Sequence, residues 1–312
     1  MKLLSRTSLV TAACLAVAAC GARSRAADHW ADQVVSYAPG TGITNDFVTG
    51  TPFNFPSTAL GEPTRETSPH NFGGIVTPLQ SPFRSTEIVS IGKGGSLVVK
   101  FDEPVANDAL NPYGIDLLIF GNAFFVGSFF NPDFSFTPAG TASDVAAEGG
   151  VVEVSADGVN YFGVSGAADG LFPTNAYVDV TDPFAAVAGS VPTDFTRPVD
   201  PAFNPFGKTY AQILAGYGTS GGGLGVDIGP TGLSSISYVR ITNPVGAAFI
   251  PEIDALADVA SIPEPAAWQM FFVGALILLG KSAFHKLHDT GRCGETRRFP
   301  NPGKLLPRVA EG

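Results

Sequence analysis

Hydrophobic residues in the middle of this chain fall into short runs that are separated by glycine, proline, asparagine and aspartate. Runs of this length with such boundaries are typical of β-strands. Residues 87–91 and 96–101 are two β-rich runs joined by Gly92, Lys93, Gly94 and Gly95. A short glycine-rich connection between two strands predicts a β-hairpin at this point.

Two further stretches strengthen the β pattern. Residues 116–120 form a continuous apolar run, and residues 151–155 are joined to residues 160–164 by a tight turn with Asp157-Gly158. Glycine supplies the positive φ that such a turn requires. We therefore expect residues 27–260 to form one large all-β domain, because about 234 residues are enough to bury a core.

Residues 1–26 have the order of a secretory signal peptide. Lys2 and Arg6 precede an apolar stretch over residues 9–19, and small residues precede a predicted cleavage between Ala26 and Ala27. The sequence that ends at Cys20 also fits a lipoprotein cleavage box, in which Cys20 would become a lipidated N-terminus. Both alternatives predict that the protein is exported.

Residues 261–288 combine three features. Pro263, Glu264 and Pro265 form an extended triplet, an uncharged apolar run covers residues 266–280, and basic residues begin at Lys281. Fifteen helical residues span about 22 Å, less than the ~30 Å of a hydrocarbon core. Extending the helix over residues 266–284 gives nineteen residues if Lys281 snorkels to the headgroups. A transmembrane helix and a buried core helix both remain open on these observations.

Charge is distributed unevenly along the chain. Residues 27–260 contain 24 acidic and seven basic residues, a net charge of −17, whereas both flanks are positive. Positive flanks are typical of a chain whose ends meet the cytoplasm. An acidic domain repels phosphates, which excludes nucleic acid as a partner and leaves divalent cations and neutral glycans. All three cysteines lie outside residues 27–260, which excludes a disulfide framework there.

The order of triplet, apolar helix and basic cluster in residues 261–288 resembles the PEP-CTERM sorting signal of exported bacterial proteins. The resemblance implies that an exosortase-type membrane protease recognises Pro263, Glu264 and Pro265. It would then release the upstream domain into the cell envelope or an exopolysaccharide matrix. This chain departs from the family pattern because a basic tail, residues 289–312, follows the signal.

Three motifs between residues 87 and 260 resemble discoidin-like (coagulation factor 5/8 type C) domains and their galactose-binding-like relatives. They are the hairpin VVEVSADGVNYFGV from residue 151, the strand Y-V-R-I from Tyr238, and the closing run IDALADV from Ile253. The resemblance implies a jelly-roll β-sandwich and, as one of several uses, glycan or surface binding. An insertion over residues 171–232 is longer than usual, and we expect long loops over one end of the sandwich.

Residues 218–222, GTSGG, match the G-x-S-x-G pattern of a serine nucleophile. That motif requires a following helix and a later histidine, and no histidine of residues 27–260 follows Ser220. We therefore expect a glycine-rich loop, assign no catalytic residue and predict that the protein is not an enzyme. The phenylalanine-rich run over residues 123–136 predicts core packing rather than a sugar-stacking platform.

Oxygen-ligated calcium is the strongest candidate for a metal site. Asp116 and Asn122 flank one predicted strand, and Glu252 and Asp254 open the last one. Ca²⁺ takes six to eight oxygen ligands from such side chains and from loop carbonyls. The alternative is that these residues are ordinary turn and edge residues of an acidic secreted protein.

Together these patterns predict an exported cell-surface or extracellular-matrix protein, non-enzymatic and active in adhesion or in binding to exopolysaccharide or envelope glycans. Its C-terminal helix would anchor it in the inner membrane at least transiently. The alternative is a secreted hydrolase that acts on polysaccharide through loop carboxylates.

Overall fold

The computed structural model describes residues 29–67 and 74–261. Several predicted features lie outside these residues: the signal peptide with Ala26 and Ala27, the lipidation candidate Cys20, the triplet at residues 263–265, the helix at 266–284 and the tail at 289–312. Over the described ranges, none of the helices combines the length and the apolar character that a membrane crossing requires.

The described part of the chain is mostly β-structure, with one α-helix. In chain order the elements are β1 (Gln33–Ala38), β2 (Val89–Ser90), β3 (Ser96–Ala106), β4 (Leu117–Gly121), β5 (Phe124–Gly127), β6 (Ala142–Ala146), β7 (Gly149–Ser155), β8 (Phe162–Asp169), α1 (Tyr210–Tyr217), β9 (Leu224–Val226), β10 (Ser235–Thr242) and β11 (Glu252–Asp258).

The strands form antiparallel sheets, which confirms the predicted all-β class. A five-stranded sheet has the order β1-β3-β10-β7-β8, and a four-stranded sheet has the order β2-β11-β4-β9. Strands β5 and β6 pair as a separate ribbon. The predicted Asp-Gly hairpin is confirmed as β7 and β8, with Gly158 at φ +74°.

Both larger sheets contribute side chains to one hydrophobic core. Val99, Val154 and Val239 come from the five-stranded sheet, and Ile119 and Leu256 come from the four-stranded sheet. Burial of each such side chain stabilises the fold by about 1.5–3 kcal/mol. The two sheets therefore pack face to face in a sandwich-like arrangement.

Strand β4 is buried on both of its faces, which accounts for its continuous apolar sequence. Leu117 and Ile119 face the shared core, whereas Leu118 and Phe120 belong to a second cluster that contains Phe195. The ring of Phe195 meets that of Phe120 edge to face, with centroids 5.3 Å apart. The long insertion thus covers the outer face of the four-stranded sheet.

The predicted hairpin around Gly92 to Gly95 is wrong. Strand β2 pairs with β11, whereas β3 pairs with β1 and β10 in the other sheet. The Gly92 N–H donates to the Pro39 carbonyl at 2.7 Å, and a Cβ on Gly95 would lie 2.7 Å from the Ala38 carbonyl oxygen. The glycines therefore permit a close crossing of two backbones where the chain passes from one sheet to the other.

The prediction of long loops over residues 171–232 is wrong in part, because this insertion also contains α1 and β9. Helix α1 buries Ile213 and Tyr217 in a separate cluster with Phe125 and Phe129. Strand β9 extends the four-stranded sheet beside β4. The insertion therefore combines long loops with a helix and a strand that are part of the fold.

Candidate functional site

Asp116, the first predicted calcium ligand, is buried just before β4, and both of its carboxylate oxygens accept hydrogen bonds from neighbouring residues. Its Oδ1 accepts hydrogen bonds from Asn111 Nδ2 at 2.9 Å and from the Asp108 N–H at 3.2 Å. Its Oδ2 accepts from the Ile228 N–H at 3.1 Å. The carboxylate therefore ties two turns together and has a structural role.

Asn122 and Glu252 lie at the opposite end of the β4–β11 pair from Asp116. Gly121 is paired with Ile253, and Leu117 with Asp258, so the strand length separates the two ends. Glu252 Oε1 accepts hydrogen bonds from Thr44 Oγ1 at 2.5 Å and from Ser90 Oγ at 2.9 Å. The structure thus places Asn122 and Glu252 at the same end of the β4–β11 pair and Asp116 at the other end.

Asp254 has its own partner. It is buried, and its two oxygens accept hydrogen bonds from the backbone N–H and the hydroxyl of Thr64, at 2.9 and 2.7 Å. Burial raises the pKa of Asp254 to about 7. Among the described residues, no group of three or more His, Cys, Asp or Glu is arranged to hold a metal ion. The side-chain arrangement therefore does not support calcium at the four predicted ligands.

Two other acids, the buried Asp169 and the half-buried Glu148, lie close to Glu252 and form an acidic cluster with it. Asp169 Oδ1 accepts from the Ala123 N–H at 3.0 Å, and its Oδ2 accepts from the Glu148 N–H at 3.1 Å. Burial, and then the hydrogen bond and the charge of Glu252, raise the pKa of Glu148 to about 10. Burial also raises the pKa of Asp169 to about 7. The surroundings of Glu148 therefore favour its protonated form.

Beside this acidic cluster lies an apolar cavity of about 430 Å³, here called the aromatic groove. Phe124, which lines it, directly follows Ala123, whose N–H binds Asp169. The groove is lined by Phe47, Leu79, Gln80, Ser81, Phe83, Phe124 and Phe184. Its volume lies in the range of small-ligand pockets, about 300–1,000 Å³. Four chain segments that are distant in sequence thus build one concave surface.

One wall of the aromatic groove is a stacked pair of rings. Phe47 is 72% exposed, and its ring lies 5.0 Å from that of Phe83 at an interplanar angle of 18°. The position of this exposed ring is fixed by two residues, the one that precedes Phe47 and the one that follows Phe83. Asp46 and Arg84, the chain neighbours of the two rings, form an ion pair with Arg84 Nε 2.8 Å from Asp46 Oδ2.

The Asp46–Arg84 pair fixes both loops of this wall. Asp46 is fully buried, and its Oδ1 also accepts from the N–H groups of Val48 and Thr49. Burial alone would raise the pKa of Asp46, but the hydrogen bonds from Arg84 and from backbone N–H groups lower it well below its ordinary value. A charged, hydrogen-bonded carboxylate therefore positions Phe47 rigidly against Phe83.

The opposite wall is held by the turn of residues 77–80. The Phe125 N–H donates to the Pro78 carbonyl at 2.8 Å, and Thr77 Oγ1 donates to the Pro183 carbonyl at 2.9 Å. Phe124 directly precedes Phe125, and Phe184 directly follows Pro183. The ring of Phe184 packs in turn against that of Phe130, with centroids 5.5 Å apart.

Sequence reasoning missed the aromatic groove. The phenylalanine-rich run was predicted to pack, and Phe125 and Phe129 are indeed buried. Phe124, however, is 38% exposed and lines the groove. The phenylalanine-rich run was the one local sequence feature that pointed to the groove. The other lining residues come from three separate segments of the chain.

The serine of the GTSGG motif has a structural role. Ser220 is fully buried, its Oγ donates to the Arg197 carbonyl at 2.6 Å, and the same oxygen accepts from the Gly222 N–H at 3.1 Å. Both hydrogen bonds hold the loop that follows α1. This geometry agrees with the predicted glycine-rich loop.

No protein-family model matches the chain, and no curated protein matches it either. The functional argument therefore depends on the side chains that the aromatic groove and the acidic cluster bring together.

Proposed function

We propose that this chain is a non-enzymatic, exported surface or matrix protein that binds a component of the cell envelope at the aromatic groove. The observation that carries the proposal is the exposed Phe47 ring, held in a preformed stack by a buried ion pair. An exposed ring that forms part of a contiguous, concave apolar surface, rather than a scattered single ring, is typical of a binding site. Rigid aromatic side chains bind partners at a low entropic cost.

The proposed partner is uncharged or cationic. The net charge of −17 over residues 27–260 repels anionic lipids and nucleic acids. Neutral exopolysaccharide or envelope glycan is the partner that export would bring within reach. Sugar C–H faces can lie on aromatic rings, although phenylalanine provides a weaker platform than tryptophan or tyrosine.

We further propose a galactose-binding-like jelly roll as the finer fold. The assignment is supported by contacts between the motifs that carry the resemblance. Arg240 of the Y-V-R-I strand pairs with Glu153 of the hairpin, with distances of 2.7 and 2.9 Å, and its guanidinium lies 3.9 Å from the centroid of the Tyr161 ring. The final strand β11 lies between β2 and β4 in the other sheet.

Export and sorting are proposed from the sequence of the two ends. A signal peptide over residues 1–26 would start secretion, and an exosortase-type protease would recognise Pro263, Glu264 and Pro265. Residues 266–284 would hold the chain in the inner membrane until that cleavage. The mature protein would then act in the envelope or the extracellular matrix.

A secreted polysaccharide hydrolase is the second candidate, and the raised pKa of Glu148 favours it. A protonated acid beside an ionised one is the usual arrangement for glycoside hydrolysis. The geometry weighs against this candidate, because Glu148 and Glu252 share a hydrogen bond. Glycosidase carboxyl groups are about 5–5.5 Å or 6.5–9.5 Å apart, which leaves room for the substrate.

The binding proposal is tested with the full-length protein, sedimented with lipid-free exopolysaccharide and envelope glycan from its native cells, so that residues 266–284 cannot retain it through a membrane. We expect Phe47→Ala to lower retention about tenfold, as for a hot-spot aromatic residue. The matched control is Phe249→Ala, since Phe249 is 64% exposed and does not line the groove. Equal retention of both variants and the wild type would contradict the proposal.

The same preparations test the hydrolase candidate. Release of reducing sugar from the exopolysaccharide is measured for the wild type and for Glu148→Gln. We expect no release from either protein. Release by the wild type that Glu148→Gln abolishes would establish the hydrolase in place of the binding protein.

A further inference from the structure

The aromatic surface of this molecule extends beyond the aromatic groove. Phe184, which lines the groove, also packs against Phe130, with ring centroids 5.5 Å apart and an interplanar angle of 34°. Phe130 is 50% exposed and is not one of the lining residues. Phe184 therefore joins the groove to a second open ring, and a ligand confined to the groove would leave that ring uncovered.

The backbone fixes the position of Phe130. An isolated β-bridge pairs it with Phe136, and the Thr137 N–H donates to the Phe129 carbonyl at 2.8 Å. The ring of Phe136 meets that of Phe184 edge to face, with centroids 6.4 Å apart. Phe129 is buried in the cluster that α1 also enters. The rings of Phe130 and Phe184 thus belong to a preformed surface, like the stacked pair on the opposite wall.

Exposed carboxylates border this surface. Asp182, two residues before Phe184, is exposed, and its Oδ1 accepts from the Phe184 N–H at 3.0 Å. Val126 lies on the same face of β5 as Phe124 and pairs with the exposed Asp144 of β6. Carboxylate oxygens accept hydrogen bonds and donate none, which suits the hydroxyl groups of a neutral sugar.

Charge and chemistry together select the occupant of this extended surface. The net charge of −17 over residues 27–260 repels a second copy of the chain, an acidic glycan and an anionic membrane. A neutral glycan has no such repulsion, and it offers C–H faces to the rings and hydroxyl groups to the carboxylates at the rim. Because each unit of a polysaccharide offers such groups, one chain can cover the groove and Phe130 together.

We propose that the aromatic groove and Phe130 together bind a stretch of a neutral polysaccharide chain several sugar units long, rather than a single sugar. One unit packs in the groove, and the chain continues over Phe184 onto Phe130. This inference rests on the proposed function and deepens it, because it names the form of the ligand at the same site. Once one unit is bound, the contact of a neighbouring unit is intramolecular, so affinity rises with chain length.

The test uses neutral exopolysaccharide from the native cells, hydrolysed in part with acid and separated into fragments of one, four and eight sugar units. Their affinities for the full-length protein are measured by ligand-observed NMR titration and expressed per sugar unit, so that a longer fragment gains nothing from its number of units alone. We expect the four-unit and eight-unit fragments to bind about tenfold more tightly than the single sugar, as for one added hot-spot contact. Equal affinities per sugar unit would overturn the inference.

Substitutions at Phe130 identify the second contact. Phe130→Ala should abolish the gain with chain length and leave the affinity for the single sugar unchanged, because Phe130 does not line the groove. Phe130→Tyr keeps the ring and should keep the gain. Phe47→Ala should weaken every fragment, whereas the exposed control Phe249→Ala should weaken none.

A wild-type gain with chain length in Phe130→Ala would overturn the inference, as would an equal loss of affinity for all three fragments. The fragment series on the wild type needs no variant, so the inference stays falsifiable even if Phe130→Ala fails to fold.

Failure of this inference and failure of the proposed function give different results. If Phe47→Ala loses retention on the glycan while the wild type binds all fragments equally per sugar unit, the chain-length inference is overturned and the function stands. If no fragment binds and Phe47→Ala is retained like the wild type, binding at the groove is overturned and the inference fails with it.

Discussion

Glu148 is a half-buried acid beside Asp169 and Glu252, and its protonation makes the stability of the fold depend on pH. The pKa of Glu148 is raised to about 10 and that of Asp169 to about 7, in both cases first by burial. Between the ordinary carboxyl pKa of about 4 and these raised values, the native state binds more protons than the unfolded state. The free energy of unfolding therefore decreases as pH rises through this range.

We predict that Glu148→Gln makes this pH dependence shallower. Glutamine is neutral in both states, and its amide can donate to Glu252 as the protonated carboxyl does. The wild type should lose about 1.4 kcal/mol per pH unit for each such group. The measurement is urea unfolding from pH 5 to pH 8, in which the variant should be more stable than the wild type at pH 8.

The acid range serves as the internal control for this experiment. Asp157 accepts hydrogen bonds from the N–H groups of Asn160 and Val159, which lower its pKa. Carboxylates of this kind stabilise the fold above the ordinary pKa and lose that effect as pH falls further. Below about pH 4 both proteins should lose stability together. If the free energy of unfolding of Glu148→Gln falls towards pH 8 as steeply as that of the wild type, the Glu148 carboxyl is not held protonated in the native state.

At the scale of single elements, helix α1 depends on its N-terminal cap. Thr209 Oγ1 accepts from the Gln212 N–H at 3.4 Å, and Gln212 Oε1 accepts from the Thr209 N–H at 2.9 Å. These reciprocal bonds form a capping box and satisfy backbone groups at the start of the helix. An eight-residue helix is too short to be stable without such a cap and without its packing.

We predict that Thr209→Ala lowers the free energy of unfolding by about 1 kcal/mol. The measurement is urea unfolding at pH 6, with Thr181→Ala as the control because Thr181 is an exposed loop residue. Equal stability of the two variants would mean that tertiary packing alone holds the helix.

Local sequence signals predicted some elements and not others, for physical reasons. The β7–β8 hairpin followed from the Asp-Gly turn, whose geometry is encoded within four residues. The turn over Gly92–Gly95 was assigned to a hairpin wrongly, because the pairing of β2 with β11 depends on residues about 160 positions away in sequence. Thr209 and Gln212 have the spacing of a capping box at the start of α1. The glycine and proline residues around them favour a loop in the sequence pattern, so the helix was not predicted.

At the scale of the whole molecule, the aromatic groove shows the limit of prediction from sequence. Its walls come from residues near positions 47, 80, 124 and 184, and no pattern along the chain links these segments. The all-β class was predictable, since it follows from many short strands with turn residues between them. Asp116 and Asn122, two of the predicted calcium ligands, lie at opposite ends of β4, a separation that their short distance in sequence does not reveal.

The central claim is that the chain is exported and cut near both of its ends. The intact mass of the protein recovered from its native cells tests this claim most directly. We predict a mass that corresponds to a start at Ala27 and an end between Pro263 and Pro265, which would establish export and sorting of the β-domain. A mass that retains Met1 and Gly312 would contradict both steps, and the apolar run would then be a permanent anchor or a part of the fold.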